Sequence, residues 1–225
     1  MKFENTNVMN FSGALRGMRN PKNSWHLSDS YTNEDGVYII GENDMKLAQM
    51  LIRSGSEHRK FLRQIFVSVD ITAPMYWWSE FDTYKVGTVA TSTSKMHKLH
   101  TKEITLDCFE IDDMHYNLNC SEDEYVGNFI EETLIPKLEY LRKKFVETGD
   151  KKYWKELLRW LPESWLQTRT VTMNYENLLG MCSAGQRRNH KLNEWSGKDN
   201  HDLTNFIAWA RTLPYSHEFI FIDEI

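Results

Sequence analysis

The sequence predicts an α+β fold in a single domain, with helices outnumbering strands. Three observations carry that prediction. Residues 62–72 alternate strictly, with Ile65, Val67, Val69 and Ile71 on one face and Gln64, Phe66, Ser68, Asp70 and Thr72 on the other. That is the period of a half-buried strand. Farther on, Val126, Phe129, Ile130, Leu134, Leu138, Leu141 and Phe145 recur at helical spacing. Finally, the 225 residues contain no internal repeat and no linker-like stretch, so 1–225 reads as one domain.

The elements follow in order. Residues 1–35 hold few regular signals, and GALRGMRNPKNSW reads as a surface loop with Arg16, Arg19 and Lys22 around Pro21. GVYII (36–40) is a short strand. Gly41-Glu42-Asn43-Asp44 supplies turn and N-cap chemistry for a helix whose apolar face is Met45, Leu47, Met50 and Leu51. Ala73-Pro74 ends the 62–72 strand, and Pro74 suits the first turn of the aromatic helix MYWWSEFDTY. Gly87 opens TVATSTSKMHKLH, too rich in Ser and Thr for a core helix and read as a loop, either binding or solvated. Ser121 with Glu124 three residues later forms a capping box for a helix running to about 147, which Pro136 should kink or break. A helix over 151–161 presents Trp154, Leu157, Leu158 and Leu161 and stops at Pro162. Another spans 173–184 around Leu178, Leu179 and Met181, and DLTNFIAWARTL is a last one closed by Pro214.

Composition excludes several classes. With 40% hydrophobic and 26% charged residues the chain is neither disordered nor collagen-like. Its 27 basic residues against 32 acidic ones give a net charge of −5, against broad nucleic-acid binding but leaving room for a small basic pocket. No run approaches the roughly 18–20 apolar residues that span a bilayer, and MKFENTNVMNF lacks the apolar core of a signal peptide. A soluble protein without membrane association is expected. Three cysteines without CxxC spacing favour a reducing, cytoplasmic compartment over a disulfide framework or a zinc site. The 8 Trp, 10 Tyr and 11 Phe can furnish a large core or subunit interfaces.

Generic motifs are absent: no GxGxxG, no Walker loop, no HExxH. His97, His100 and Cys108 lack a further convergent ligand, so no metal site is read there. Ser92 to Lys95 matches SxxK without its partner motifs. Two clusters are stronger. One is Ala73–Leu99; the other, Leu161–Trp195, sets Arg187, Arg188, His190 and Lys191 beside one another. Arginine forks suit phosphate or carboxylate, although a solvated basic turn has the same composition.

Together these clusters resemble the flavin-dependent thymidylate synthases. VDITAPMYWWSEFDTYKVGTVATSTSKMHKL (69–99) is similar to that family's signature region: a strand ending in Ala-Pro, a helix with a substrate Gln, an Arg-His-Arg triplet, then a Ser-x-Arg pair. Upstream, His58 in SEHRKFLRQI resembles the family's histidine-bearing approach to the strand. Downstream, Leu161-Pro162 is followed after twelve residues by Asn174, then a helix and an arginine-containing turn. The resemblance covers about 36–213. The departures are specific. Thr83-Tyr84-Lys85 replaces the triplet, Glu80 the substrate Gln, and Thr93-Ser94-Lys95 the Ser-x-Arg pair. Ala90 and Thr91 stand where acidic or amide residues are usual, Gln64 where a flavin-contacting His is usual, and Glu176 where an Arg is usual.

The resemblance implies a central, mainly antiparallel sheet flanked by helices and a homotetramer. It implies methylation of dUMP to dTMP with reduced FAD, methylenetetrahydrofolate and NADPH. It assigns Thr93 the catalytic position; Glu80, Lys95 and Arg187 or Arg188 the nucleotide; and Gln64, Thr83, Tyr84, Lys85, Thr88 and Asn174 the flavin. The altered triplet motivates an alternative, a nucleotide-binding protein on the same scaffold that does not use flavin.

Overall fold

A computed structural model describes residues 1–111, 129–199 and 204–225. Its central sheet has the strand order β1-β4-β6-β5, with β1 Lys2–Met9, β4 Phe66–Pro74, β5 Val89–Ser92 and β6 Leu166–Asn174. Side chains fix the register of the two long strands. Thr170 Oγ1 donates to Asp70 at 2.5 Å, and the Thr72 and Thr168 hydroxyls meet at 2.7 Å. Each step back along β4 is thus a step forward along β6, which makes the pair antiparallel. The face predicted for 62–72 is the buried one: Val67, Val69 and Ile71 of β4, and Ile65 just before it, are at most 1% exposed. A separate antiparallel pair joins β2 Tyr31–Thr32 to β3 Tyr38–Ile39, so the strand read at 36–40 is only two residues long.

The chain divides into two compact units: residues 1–71, 83–91 and 170–225, and residues 72–82 and 92–169. The first contains α1 Phe11–Met18 and α2 Glu42–Arg53. Its aromatic core brings Phe11, Phe61, Tyr175, Tyr215 and Phe219 ring to ring. A second aromatic group joins Phe3, Trp195, Phe206 and Trp209. The second unit contains α3 Met75–Phe81, α4 Lys95–Lys98, α5 Ile135–Thr148 and α6 Lys151–Trp160. Leu99, Ile104, Phe109, Leu138, Leu141 and Leu157 form its core, and Trp77, Trp78 and Phe81 pack on one another along α3.

Several sequence expectations need correction. Residues 1–35 are not a surface loop: β1 and α1 occupy much of them, because Phe11, Ala14, Leu15 and Met18 bury one face of a helix. Within the same segment Arg19 is buried and reaches Asp44, itself wholly buried. The strand β6 was not read from the sequence, and the helix predicted from residue 173 begins only at Tyr175, as α7 Tyr175–Met181. The Ser/Thr-rich stretch contains β5 and α4 rather than only loop. At Pro136 the break takes the form of a change in winding, from a π-helical Phe129–Leu134 into α5 with Pro in its first turn. The Ser121 capping box lies outside the described residues. Among the described residues, no helix is long and apolar enough to cross a membrane.

Candidate functional site

The first unit gathers three segments that lie far apart in sequence. Asn174, the last residue of β6, caps α7: its side chain accepts from Asn177 N at 2.9 Å, and Asn177 Oδ1 accepts from Asn174 N at 3.1 Å. This reciprocal box satisfies the orphan amides of the first turn. Asn177 then donates through Nδ2 to Val86 O at 2.7 Å, fastening the 83–88 loop to the helix. Gly87 sits there at φ +81, and a Cβ on it would lie 2.9 Å from Asn174 Nδ2 and 3.0 Å from Asn177 Oδ1. Only glycine adopts that backbone without strain and allows so close an approach. Thr88 closes the loop on itself by donating to Tyr84 O. Lys85 is exposed on the same loop.

The third segment is the turn after α7. Arg187 Nε donates to the Tyr84 hydroxyl at 2.9 Å, 103 residues away in sequence. Its guanidinium lies over the Trp195 ring at 4.8 Å and near the Tyr84 ring at 5.2 Å. The two aromatic rings and the hydroxyl thus hold a half-buried cation in one orientation. Arg188 is engaged differently. It donates to Cys182 O at 2.8 Å and pairs with Asp223 at 2.6 Å and Glu224 at 3.0 Å, anchoring the C-terminal segment. The Arg188 hydrogen bond, outweighing partial burial, holds the Asp223 carboxyl below its ordinary value. Cys182 itself is fully buried, and burial pushes its thiol up to about 12 although Arg188 and Arg211 pull the other way.

Gln64 ends a 3-10 turn, Lys60–Gln64, with its carbonyl accepting from Asn10 at 2.9 Å and its amide close under Gly17. Next to it lies an arrangement the sequence reading missed. Glu176 accepts from Arg59 Nε at 3.2 Å, from Arg63 Nε, and from Arg63 Nη2 at 3.4 Å. Where the resemblance has an arginine this chain has a carboxylate, and two arginines from residues 59–63 come to it.

In the second unit, α3 is held by backbone bonds from Met75 N to Trp165 O and from Tyr76 N to Glu163 O. Trp78 Nε1 donates to Gln167 O at 2.9 Å. Glu80 is half-buried on this helix, with contacts of its own. Thr93 is exposed, but its backbone is fixed: Thr93 N donates to Thr168 O at 2.9 Å, and Gln167 Nε2 donates to Thr93 O at 2.8 Å. Ser94 caps α4 by accepting from His97 N at 3.1 Å. Lys95, half-buried, lies with Nζ 3.6 Å from Met75 Sδ. Arg169, also missed, stacks on Trp78 at 4.2 Å and pairs with Asp82 at 2.8 Å.

The sequence-assigned residues therefore fall on both units. Gln64, Thr83, Tyr84, Lys85, Thr88, Asn174, Arg187 and Arg188 lie on the first, and Glu80, Thr93 and Lys95 on the second. Among the described residues, no group of three His, Cys, Asp or Glu side chains could hold a metal ion.

No family model matches the chain, and no curated protein is a match. Solved structures do match in fold. A flavin-dependent thymidylate synthase from Helicobacter pylori, complexed with FAD and dUMP, superposes with a TM-score of 0.66 at 19% identity, covering 99% of both chains. A second structure of the enzyme from that organism, also with FAD and dUMP, gives 0.61 at 18%, covering 96% of this chain and 95% of that one. A UMP/dUMP methylase from Streptomyces cacaoi, bound with 5-Br dUMP, gives 0.61 at 14%, covering 98% and 95%. The chain has the α+β fold of the flavin-dependent thymidylate synthases, with a central antiparallel sheet flanked by helices.

Proposed function

We propose that this chain is a divergent member of the flavin-dependent thymidylate synthase group that binds a pyrimidine nucleotide of the dUMP type and methylates it. The observation that carries this reading is the hydrogen bond between Tyr84 and Arg187. The first comes from the position of the triplet and the second from the nucleotide-binding turn, two parts of the resemblance that nothing in local sequence obliges to meet. Structures of the same fold were solved with FAD and dUMP, and with 5-Br dUMP, which supports a nucleotide as ligand.

In this reading Arg187 takes the nucleotide phosphate, since its planar fork is oriented in advance by Tyr84 and Trp195. Arg188, bonded to Asp223 and Glu224, is read as the anchor of the C-terminal segment. Lys95 offers a point charge for an anionic group, and Thr93 a hydroxyl on a fixed backbone. The first unit fits a flavin as well: an aromatic face at Tyr84, the Asn174 amide, and exposed Lys85 lie on or against one loop, whose approach requires Gly87. FAD, when bound and reduced, supplies the hydride, and methylenetetrahydrofolate supplies the carbon. NADPH as reductant, a cytoplasmic location and a homotetramer belong to the same proposal.

The test is an absorbance spectrum of the purified protein after loading with FAD and removal of excess, followed by dUMP addition and chromatographic assay for dTMP with methylenetetrahydrofolate and NADPH. Retained flavin and dTMP formation are expected, with Lys95→Ala raising the KM for dUMP. A protein that binds dUMP while retaining no flavin would support the flavin-free alternative instead.

A further inference from the structure

Glu176 carries more cation than its own stability requires. Its two oxygens receive the Nε edges of both Arg59 and Arg63, and one carboxylate against two guanidiniums leaves one positive charge in excess. Glu57 also acts on Arg63, but it is paired with Lys60 at 3.3 Å, so counting both leaves the excess at one positive charge. Glu176 is nearly buried, with 14% of its side chain exposed, whereas Arg59 is 27% and Arg63 49% exposed. The carboxylate thus forms the floor and the arginines the rim. Among the described residues, both Nη atoms of Arg59 and Nη1 of Arg63 make no hydrogen bond, so terminal donors of both guanidiniums remain available to a ligand. The Glu176 hydrogen bond raises the Arg63 pKa further, keeping its charge fixed at any working pH.

We propose that Arg59 and Arg63, arrayed on Glu176, form an oxyanion site for a phosphate or diphosphate group. Two guanidiniums whose Nε edges are held on one carboxylate are oriented in advance, so their terminal N–H groups can serve phosphoryl oxygens with less ordering cost. The site supplies from residues 59–63 the positive charge that the carboxylate at 176 removes from α7. The diphosphate of a dinucleotide cofactor is the ligand favoured, an identification that rests on the function proposed above; the oxyanion chemistry itself does not.

The test uses the full chain and three probes, inorganic pyrophosphate, FAD and dUMP, titrated calorimetrically against wild type, Arg63→Lys and the double variant Arg59→Gln/Arg63→Gln, with thermal unfolding measured for each. The double variant is expected to bind pyrophosphate and FAD at least about tenfold more weakly with an unchanged dUMP affinity, while its melting temperature falls because Glu176 loses both charged partners. The unchanged dUMP affinity shows that the fold and the rest of the site persist. Arg63→Lys, which keeps the charge but not the fork, should fall between. A parallel loss of dUMP affinity would support the site with a mononucleotide phosphate as its ligand. Unchanged pyrophosphate and FAD binding in the double variant would overturn it, as would a wild-type protein that takes neither. If the protein forms no dTMP and retains no flavin, the function reading fails while the pyrophosphate comparison still decides the site.

Discussion

Replacing Asp44 by Ala should cost this protein about 3 kcal/mol of stability, the lower end of the roughly 3–5 kcal/mol for breaking a buried ion pair from one side. Asp44 is wholly buried on α2 and accepts from Arg19 Nε at 2.5 Å, from the Ser28 and Ser30 hydroxyls at 2.6 Å each, and from Ser30 N at 3.2 Å. Its removal leaves the buried Arg19 guanidinium with the Ser24 carbonyl at 3.3 Å, which offsets part of the loss. Domains of this size are stable by only about 5–15 kcal/mol, so guanidinium denaturation at neutral pH should show a large drop in midpoint without a change in slope. Asp44→Asn, which can still accept from the serines, should lose less. Acid supplies an independent check. Burial pushes the Asp44 carboxyl up, but Ser28, Ser30 and Arg19 together outweigh it and hold it below its ordinary 3.8. A carboxyl depressed in the folded state stabilises above its unfolded value, and that contribution is lost as pH falls through the folded value. Wild type should therefore lose stability below about pH 4 through a component that Asp44→Asn lacks. A midpoint for Asp44→Ala corresponding to less than about 1 kcal/mol would refute the argument that this network anchors the N-terminal segment.

Other predictions concern the candidate site. Tyr84→Phe keeps the ring beside Arg187 and removes the hydroxyl at 2.9 Å. Stability should change by less than about 1 kcal/mol, because the pair is half-exposed, while the dUMP dissociation constant rises about three- to tenfold by calorimetry. Arg188→Ala should behave conversely, losing about 2 kcal/mol in a denaturation curve with no change in dUMP affinity, since its partners are Asp223, Glu224 and Cys182 O. Gly87→Ala, at φ +81 and under 3 Å from Asn174, should cost about 1–3 kcal/mol and loosen the 83–88 loop, measurable as faster amide exchange there.

The parts of the fold legible in the sequence were those where burial and periodicity agree. Into and along β4, Ile65, Val67, Val69 and Ile71 alternate with more exposed neighbours, and the buried face follows. Strand β6 alternates too, but one of its inward positions is Gln167, a polar residue spent on the Thr93 carbonyl. Three threonines and Arg169 further blur its pattern. In α1 the apolar spacing Phe11, Ala14, Leu15, Met18 was present but diluted by Gly13 and Gly17, two poor helix formers. Gly17 is there for contact: a Cβ would lie 3.0 Å from the Gln64 amide. As for the candidate site, the resemblance assigned Tyr84 and Asn174 to the flavin and Arg187 or Arg188 to the nucleotide, and all four residues lie on the first unit. The ion pairs that engage Arg188, to Asp223 and Glu224, reach more than thirty residues downstream, which no local spacing announces. The same holds for Arg59 and Arg63 against Glu176, an ion pair closed over more than a hundred residues.

Cys182 gives the molecule a built-in clock. A thiol held near 12 and sealed from solvent has almost no thiolate at neutral pH, and the thiolate is the species that alkylating reagents and oxidants attack. In the closed protein this sulfur is chemically silent, and its modification rate counts openings of the core around α7 and nothing else. Its own carbonyl is the group Arg188 grips, so the clock is wired to the C-terminal anchor. Any ligand that tightens the first unit should slow it by the factor in which that ligand favours the closed state.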